Sequence, residues 1–208
     1  MNVDASSNSE PVDSAPANPV RILLIGGSLR AKSGNAAALR TAQALTPANV
    51  EAILYTRLAD LPHFNPDDDR DPLPEAVAGL RGQIRAADAV LFSTPEYAGS
   101  LPGSFKNLLD WTIGSGDGGG LYGMAVGWIN PSAHASHGGS QGAYQTLRTV
   151  LTMAGARIIE SACADVPVPR DKVDAEGIIA DPQIQEAIAR TMRELAGQVD
   201  PAHQTTRL

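Results

Sequence analysis

Val20-Arg21-Ile22-Leu23-Leu24-Ile25-Gly26-Gly27-Ser28-Leu29-Arg30-Ala31-Lys32-Ser33-Gly34-Asn35 is the stretch from which the fold of this 208-residue chain is read. Its first six residues form a short apolar run closed by two glycines, the pattern of a strand buried on both faces. Strands of that kind belong to parallel sheets, whose crossover helices cover both sides. Residues 35–45 are rich in Ala and Leu and stop before Pro47, which predicts a helix. A buried strand, a glycine turn and a helix make the first half of a βαβ unit.

The same alternation continues along the chain. Residues 50–55 are a second strand. Residues 60–72, with His63, several prolines and Asp67, Asp68, Asp69 and Asp71, are a loop. Pro74 then starts a helix that carries Val77, Leu80 and Ile84 on one face. The run Ala-Val-Leu-Phe-Ser at 89–93 is the third strand, 95–102 a loop, and 103–112 a helix with Phe105, Leu108 and Leu109 at helical spacing. A glycine-rich connector at 114–120 leads to a fourth strand at 124–129. A helix over 143–154 ends at Gly155, a fifth strand begins at 157–159, and 182–199 is the closing helix. Strands and helices that alternate five times, with doubly buried strands, define an α/β three-layer sandwich around a parallel sheet. For five strands the flavodoxin-like order 2-1-3-4-5 is favoured.

Bulk properties narrow the partners. Sixteen Lys plus Arg against twenty-three Asp plus Glu give a net charge of −7. That balance argues against nucleic acid and against an anionic membrane surface, both of which need a basic patch. No apolar run approaches the ~20 residues of a membrane helix. Cys163 is the one cysteine, so neither an intramolecular disulfide nor a multi-cysteine metal site forms. Residues 1–19 combine Ser, Asn, Pro, Ala and acids and lack the basic and apolar regions of a secretory signal; they read as a disordered tail. The single domain is expected over 20–200, with a frayed tail at 201–208 and a cytoplasmic location.

An order of 2-1-3-4-5 places the topological switch between strands one and three, so chemistry is expected at 26–35 and 94–103. The first loop offers Ser28 and Ser33 hydroxyls, the Asn35 amide, the Arg30 guanidinium and backbone N–H groups at a helix start, Gly34 among them. A phosphate wants many short donors in a positive field, which a helix N-terminus supplies. Arg30 suits it as a bidentate partner, with Lys32 adding charge. The loop holds neither Gly-x-Gly-x-x-Gly nor Gly-Lys-Ser/Thr, so neither a tightly bound dinucleotide nor a nucleoside triphosphate is indicated. On composition alone, a Ser/Asn cap on an ordinary helix remains the competing reading.

Thr94-Pro95-Glu96-Tyr97-Ala98-Gly99-Ser100-Leu101-Pro102-Gly103-Ser104-Phe105-Lys106-Asn107-Leu108-Leu109-Asp110-Trp111, taken with Gly-Ser-Leu-Arg-x-x-Ser-x-Asn at 27–35, resembles the NADPH-dependent FMN reductase family. Enzymes described as quinone, chromate and azo-dye reductases belong to it. The resemblance covers residues 20–199. It implies that Ser28, Arg30, Ser33 and Asn35 hold the flavin phosphate, with the Gly34 N–H assisting. It implies further that Pro95, Glu96, Tyr97, Ala98 and Gly99 run along the isoalloxazine ring, with Tyr97 at a subunit interface. Ala98 departs from the usual Asn. Ser132, in the Ser/Gly-rich loop after strand four, is a candidate ring contact, and His137 is a weaker one at the flavin edge. His134 and His137 without further ligands do not suggest a metal.

The activity so implied is hydride transfer from NADPH or NADH to FMN, then on to a small-molecule acceptor, in a homodimer or homotetramer. No catalytic side chain is expected, because the cofactor carries the chemistry. Lys106, Asn107 and Asp110 are implied to brace subunit contacts. A non-enzymatic carrier of flavodoxin type is the rival.

Overall fold

The computed structural model describes residues 18–113, 120–133 and 139–199. Its elements are β1 Val20–Gly26, α1 Gly34–Ala44, β2 Val50–Tyr55, α2 Glu75–Ala86, β3 Ala89–Ser93, α3 Gly103–Asp110, β4 Ala125–Asn130, α4 Gln141–Met153, β5 Arg157–Asp165 and α5 Pro182–Gly197. All four strand pairings are parallel and the order is β2-β1-β3-β4-β5, as the alternation predicts. The glycine connector at 114–119 and most of both expected tails lie outside the described residues.

Alternate side chains of the central strands feed two separate cores, because successive Cβ atoms point to opposite faces. Leu23, Ile25, Val90, Phe92, Val126 and Trp128 pack beneath α2, α3 and α4. Ile22, Leu24, Ala89, Leu91, Ala125 and Ile129 pack beneath α1 and α5. Gly26 pairs with Ser93, so β1 and β3 end level and release their two loops side by side.

Three expectations shift. Pro74 is the residue before α2 rather than its first helical position; its carbonyl accepts from the Val77 and Ala78 N–H groups at 2.9 and 3.0 Å. β4 runs to Asn130, one residue past the expected end. β5 extends to Asp165, far past the three residues that read as strand. Its register against β4 breaks between Val126 and Trp128. Gly127 lies at that break, where a Cβ would stand 2.5 Å from the Ala162 carbonyl oxygen. Bulging and solvent exposure on an edge strand erase the apolar run that marks β1, β3 and β4.

Candidate functional site

The first loop leaves β1 through Gly27, whose N–H donates to the Ser93 carbonyl at 2.8 Å. Ser28 Oγ accepts from the Arg30 N–H at 3.2 Å, which folds the loop back on itself. Ser33 caps α1, its Oγ accepting from the Ala36 N–H at 3.1 Å. The N–H groups of Gly34 and Asn35, in the first turn, have no carbonyl a turn earlier to receive them. Asn35 is buried, and its Oδ1 accepts from Ser93 Oγ at 2.9 Å, sewing α1 to the end of β3. Arg30 and Lys32 make no ion pair among the described residues.

The second loop turns at 97–100. Tyr97 and Ser100 exchange both backbone hydrogen bonds, at 3.0 and 3.1 Å. Between them Ala98 has φ of +51° and Gly99 φ of +75°. Two left-handed central residues define a type I′ turn, which favours Asn-Gly because Asn tolerates this region better than Ala. An Asn in place of Ala98 thus has a backbone reason at this position. Ala98→Asn is expected to raise stability by about 1 kcal/mol, or roughly 3 °C in Tm, in thermal unfolding followed by circular dichroism.

Glu96 bonds to α4. Its Oε2 accepts from the Ala143 N–H at 3.1 Å, at the first turn of α4. Tyr144, one residue further on, ties the loop down. Its hydroxyl donates to the Ile129 carbonyl at 2.7 Å and accepts from the Thr94 N–H at 3.2 Å, joining the ends of β3 and β4. Burial pushes this phenol well above its ordinary range, so it stays protonated and keeps donating. Nothing in the sequence distinguishes Tyr144 from another apolar position of an amphipathic helix.

One cavity of about 560 Å³ joins the two loops. Ser28, Arg30, Ser33, Gly34 and Asn35 line it from the first loop, and Pro95 and Tyr97 from the second. Glu96, Ala98, Gly99 and Ser132 are outside the lining. Ser132 follows β4 with its N–H donating to Asn130 Oδ1 at 3.2 Å. His134 and His137 lie outside the described residues. Asn107 is occupied within the chain, its side chain bonding the Pro62 carbonyl at 2.8 Å and the Phe64 N–H at 2.7 Å. Cys163 is no redox group of the site: burial pushes its thiol up to about 12, and it is not among the lining residues.

The remaining wall is one that sequence reading missed. It comes from the connection between β5 and α5, with Val168, Arg170 and residues 173–177 facing the first loop. This strap is anchored along its length. Val166 and Val168 N–H groups donate to the Asn130 and Pro131 carbonyls at 2.9 and 3.1 Å. Val173 and Ile179 form an antiparallel bridge. The Ile179 N–H donates to the buried Thr41 Oγ1 of α1 at 2.9 Å, and Gln185 Nε2 of α5 donates to the Ile179 carbonyl at 2.7 Å. Since α5 packs on the face that holds α1, the connection must cross the carboxyl edge of the sheet to reach it.

A doubly wound sheet with its ligand cavity at the switch point between β1 and β3 makes this a flavodoxin-like protein. Residues 20–167 match the NADPH-dependent FMN reductase family, and the chain belongs to that family. It is 31% identical over 182 residues to an NAD(P)H-dependent FMN reductase of Pseudomonas aeruginosa, covering 85% of this chain and 93% of that one. It is 33% identical over 182 residues to a quinone reductase of Escherichia coli, covering 86% and 92%. Among solved structures it is similar to FerB, a flavoenzyme NAD(P)H:(acceptor) oxidoreductase from Paracoccus denitrificans. The TM-score is 0.75 at 27% identity, over 86% of this chain and 97% of that one.

Proposed function

We propose that the cavity holds FMN, with its phosphate on the first loop and its ring toward Pro95 and Tyr97, in an NAD(P)H-dependent reductase of small-molecule acceptors. The observation that carries this reading is a cavity that joins Ser28, Arg30 and Ser33 to Pro95 and Tyr97 at the switch point. The donor set suits a phosphate monoester: two hydroxyls, a guanidinium and the open N–H groups of Gly34 and Asn35. When bound, the flavin supplies a two-electron relay between NADPH or NADH and a quinone, flavin, azo or metal-oxyanion acceptor.

The protein's part is binding and orientation. Arg30 neutralises charge at the mouth of the first loop while Ser28, Ser33, Gly34 and Asn35 donate or orient around the phosphate. Pro95 and Tyr97 form the platform, and Glu96, Ala98 and Gly99 shape the turn that carries it. Ser132 borders the ring edge from the end of β4. The Glu96 carboxylate accepts from the Ala143 N–H, which ties the turn to the start of α4. Tyr97 is 52% exposed beside the cavity, which leaves it available to a second subunit in a homodimer or homotetramer. A cytoplasmic location accords with this reading. No helix among the described residues is long and apolar enough to cross a membrane.

Purified protein is expected to be yellow and to oxidise NADPH or NADH when a quinone is added. Arg30→Ala is expected to weaken FMN binding roughly tenfold to a hundredfold, and Ser28→Ala several-fold, with unchanged circular dichroism. A colourless protein that takes up no added flavin defeats the proposal. A yellow one inert to both nicotinamides is a carrier, not a reductase.

A further inference from the structure

We propose that Arg170, on the strap between β5 and α5, is a second guanidinium for the flavin phosphate, facing Arg30 across the cavity; this rests on the FMN reading above. Both side chains line one space of about 560 Å³.

Many of the chain's cations are paired; among the described residues Arg170 is one of those that are not, with Arg30, Lys32, Arg70 and Arg190, and of these Arg30, Lys32 and Arg170 line the cavity. Arg57, Arg81, Arg148 and Arg193 are each held by a carboxylate within 2.9 Å. Lys172, two residues past Arg170, takes Asp181 at 3.5 Å. Arg170 has neither an ion pair nor a hydrogen-bonded side chain among the described residues, although Asp174 and Glu176 line the same cavity. Asp174 is occupied otherwise, its Oδ1 accepting from the Ile178 N–H at 2.7 Å. Arg40 is committed to the first loop through the Ala31 carbonyl at 3.2 Å, with Gly177 of the strap lying against its guanidinium.

Charge balance points the same way. The lining carries Arg30, Lys32, Arg40 and Arg170 against Asp174 and Glu176, a surplus of two positive charges in a chain whose net charge is −7. A phosphate monoester carries roughly −1.5 to −2 near neutral pH, which that surplus matches. The backbone that carries it is fixed as well. The strap's backbone is anchored before Arg170 by the Val168 N–H on the Pro131 carbonyl and after it by the Ile179 N–H on Thr41, so the ordering cost on binding falls on the exposed Arg170 side chain alone. Two arginines about 140 residues apart in sequence then grip the phosphate from opposite walls.

The test compares FMN with riboflavin, which lacks the phosphate, by fluorescence titration of the flavin-stripped full chain. Wild type is expected to prefer FMN strongly. Arg170→Ala is expected to raise the FMN Kd roughly tenfold or more while riboflavin stays within about twofold, and Arg170→Lys to recover part of the loss. The dependence of FMN binding on salt is expected to flatten in Arg170→Ala. If Arg170→Ala leaves the FMN Kd unchanged while Arg30→Ala raises it, Arg170 is no phosphate ligand and the FMN reading stands. Equal losses for FMN and riboflavin overturn the proposal in favour of a packing role. A wild-type chain that does not distinguish the two flavins overturns the phosphate placement itself, and this inference with it.

Discussion

Gly27→Ala is expected to cost about 3 kcal/mol of stability and to remove most of the affinity for FMN. A Cβ at this position would lie 2.2 Å from Thr94 Oγ1, 2.7 Å from Thr94 Cβ and 2.9 Å from Phe105 Cγ. None of those atoms is the far end of a flexible side chain. Thr94 begins the second loop and Phe105 is fully buried in the core beneath α3. The methyl group would therefore drive the two loops apart, and the cavity is made by their proximity. Urea unfolding and FMN titration of the same variant check both halves of the expectation. Gly34→Ala is the control: its Cβ meets nothing within 4 Å at the start of α1, so stability should change by less than about 1 kcal/mol.

The second large effect should spare the flavin. Arg81→Met is expected to lower stability by about 3 kcal/mol and leave the FMN Kd unchanged. Arg81 is 4% exposed. Its Nε donates to the Trp111 carbonyl at 3.0 Å, and its NH2 nitrogen lies 2.7 Å from Asp69 Oδ1. Methionine replaces most of the buried stem but leaves a carbonyl and a largely covered carboxylate without their donor, and removing one partner of such a pair is what makes the change severe. This clamp fastens residues 62–69 and the end of α3 to α2, beneath the face of the sheet opposite α1 and the strap. Gly27→Ala should move both readouts and Arg81→Met only one. A loss of flavin affinity in Arg81→Met would mean that the two faces of the sheet are mechanically coupled.

Much of the architecture could be read in advance because burial on both faces leaves an unbroken apolar record in β1, β3 and β4. β5 left only its first three residues legible, since the bulge at Gly127 and an exposed edge break the pattern. The switch-point rule pointed to both loops, yet not to which of their residues face inward. A type I′ turn carries Ala98 and Gly99 out of the cavity lining, and the α4 N–H groups draw Glu96 aside. Such choices depend on partners in distant elements. Arg170 and the strap were hidden for a stronger reason. Their position follows from α5 packing beside α1, and strand–helix alternation alone does not say which face a helix takes.

The Thr41–Ile179 hydrogen bond joins residues 138 positions apart. A ribosome delivers the first loop early and the strap only after the whole sheet has been synthesised. Nascent chains therefore carry a half-built cup through most of translation, and its last wall is set only as the final helix emerges.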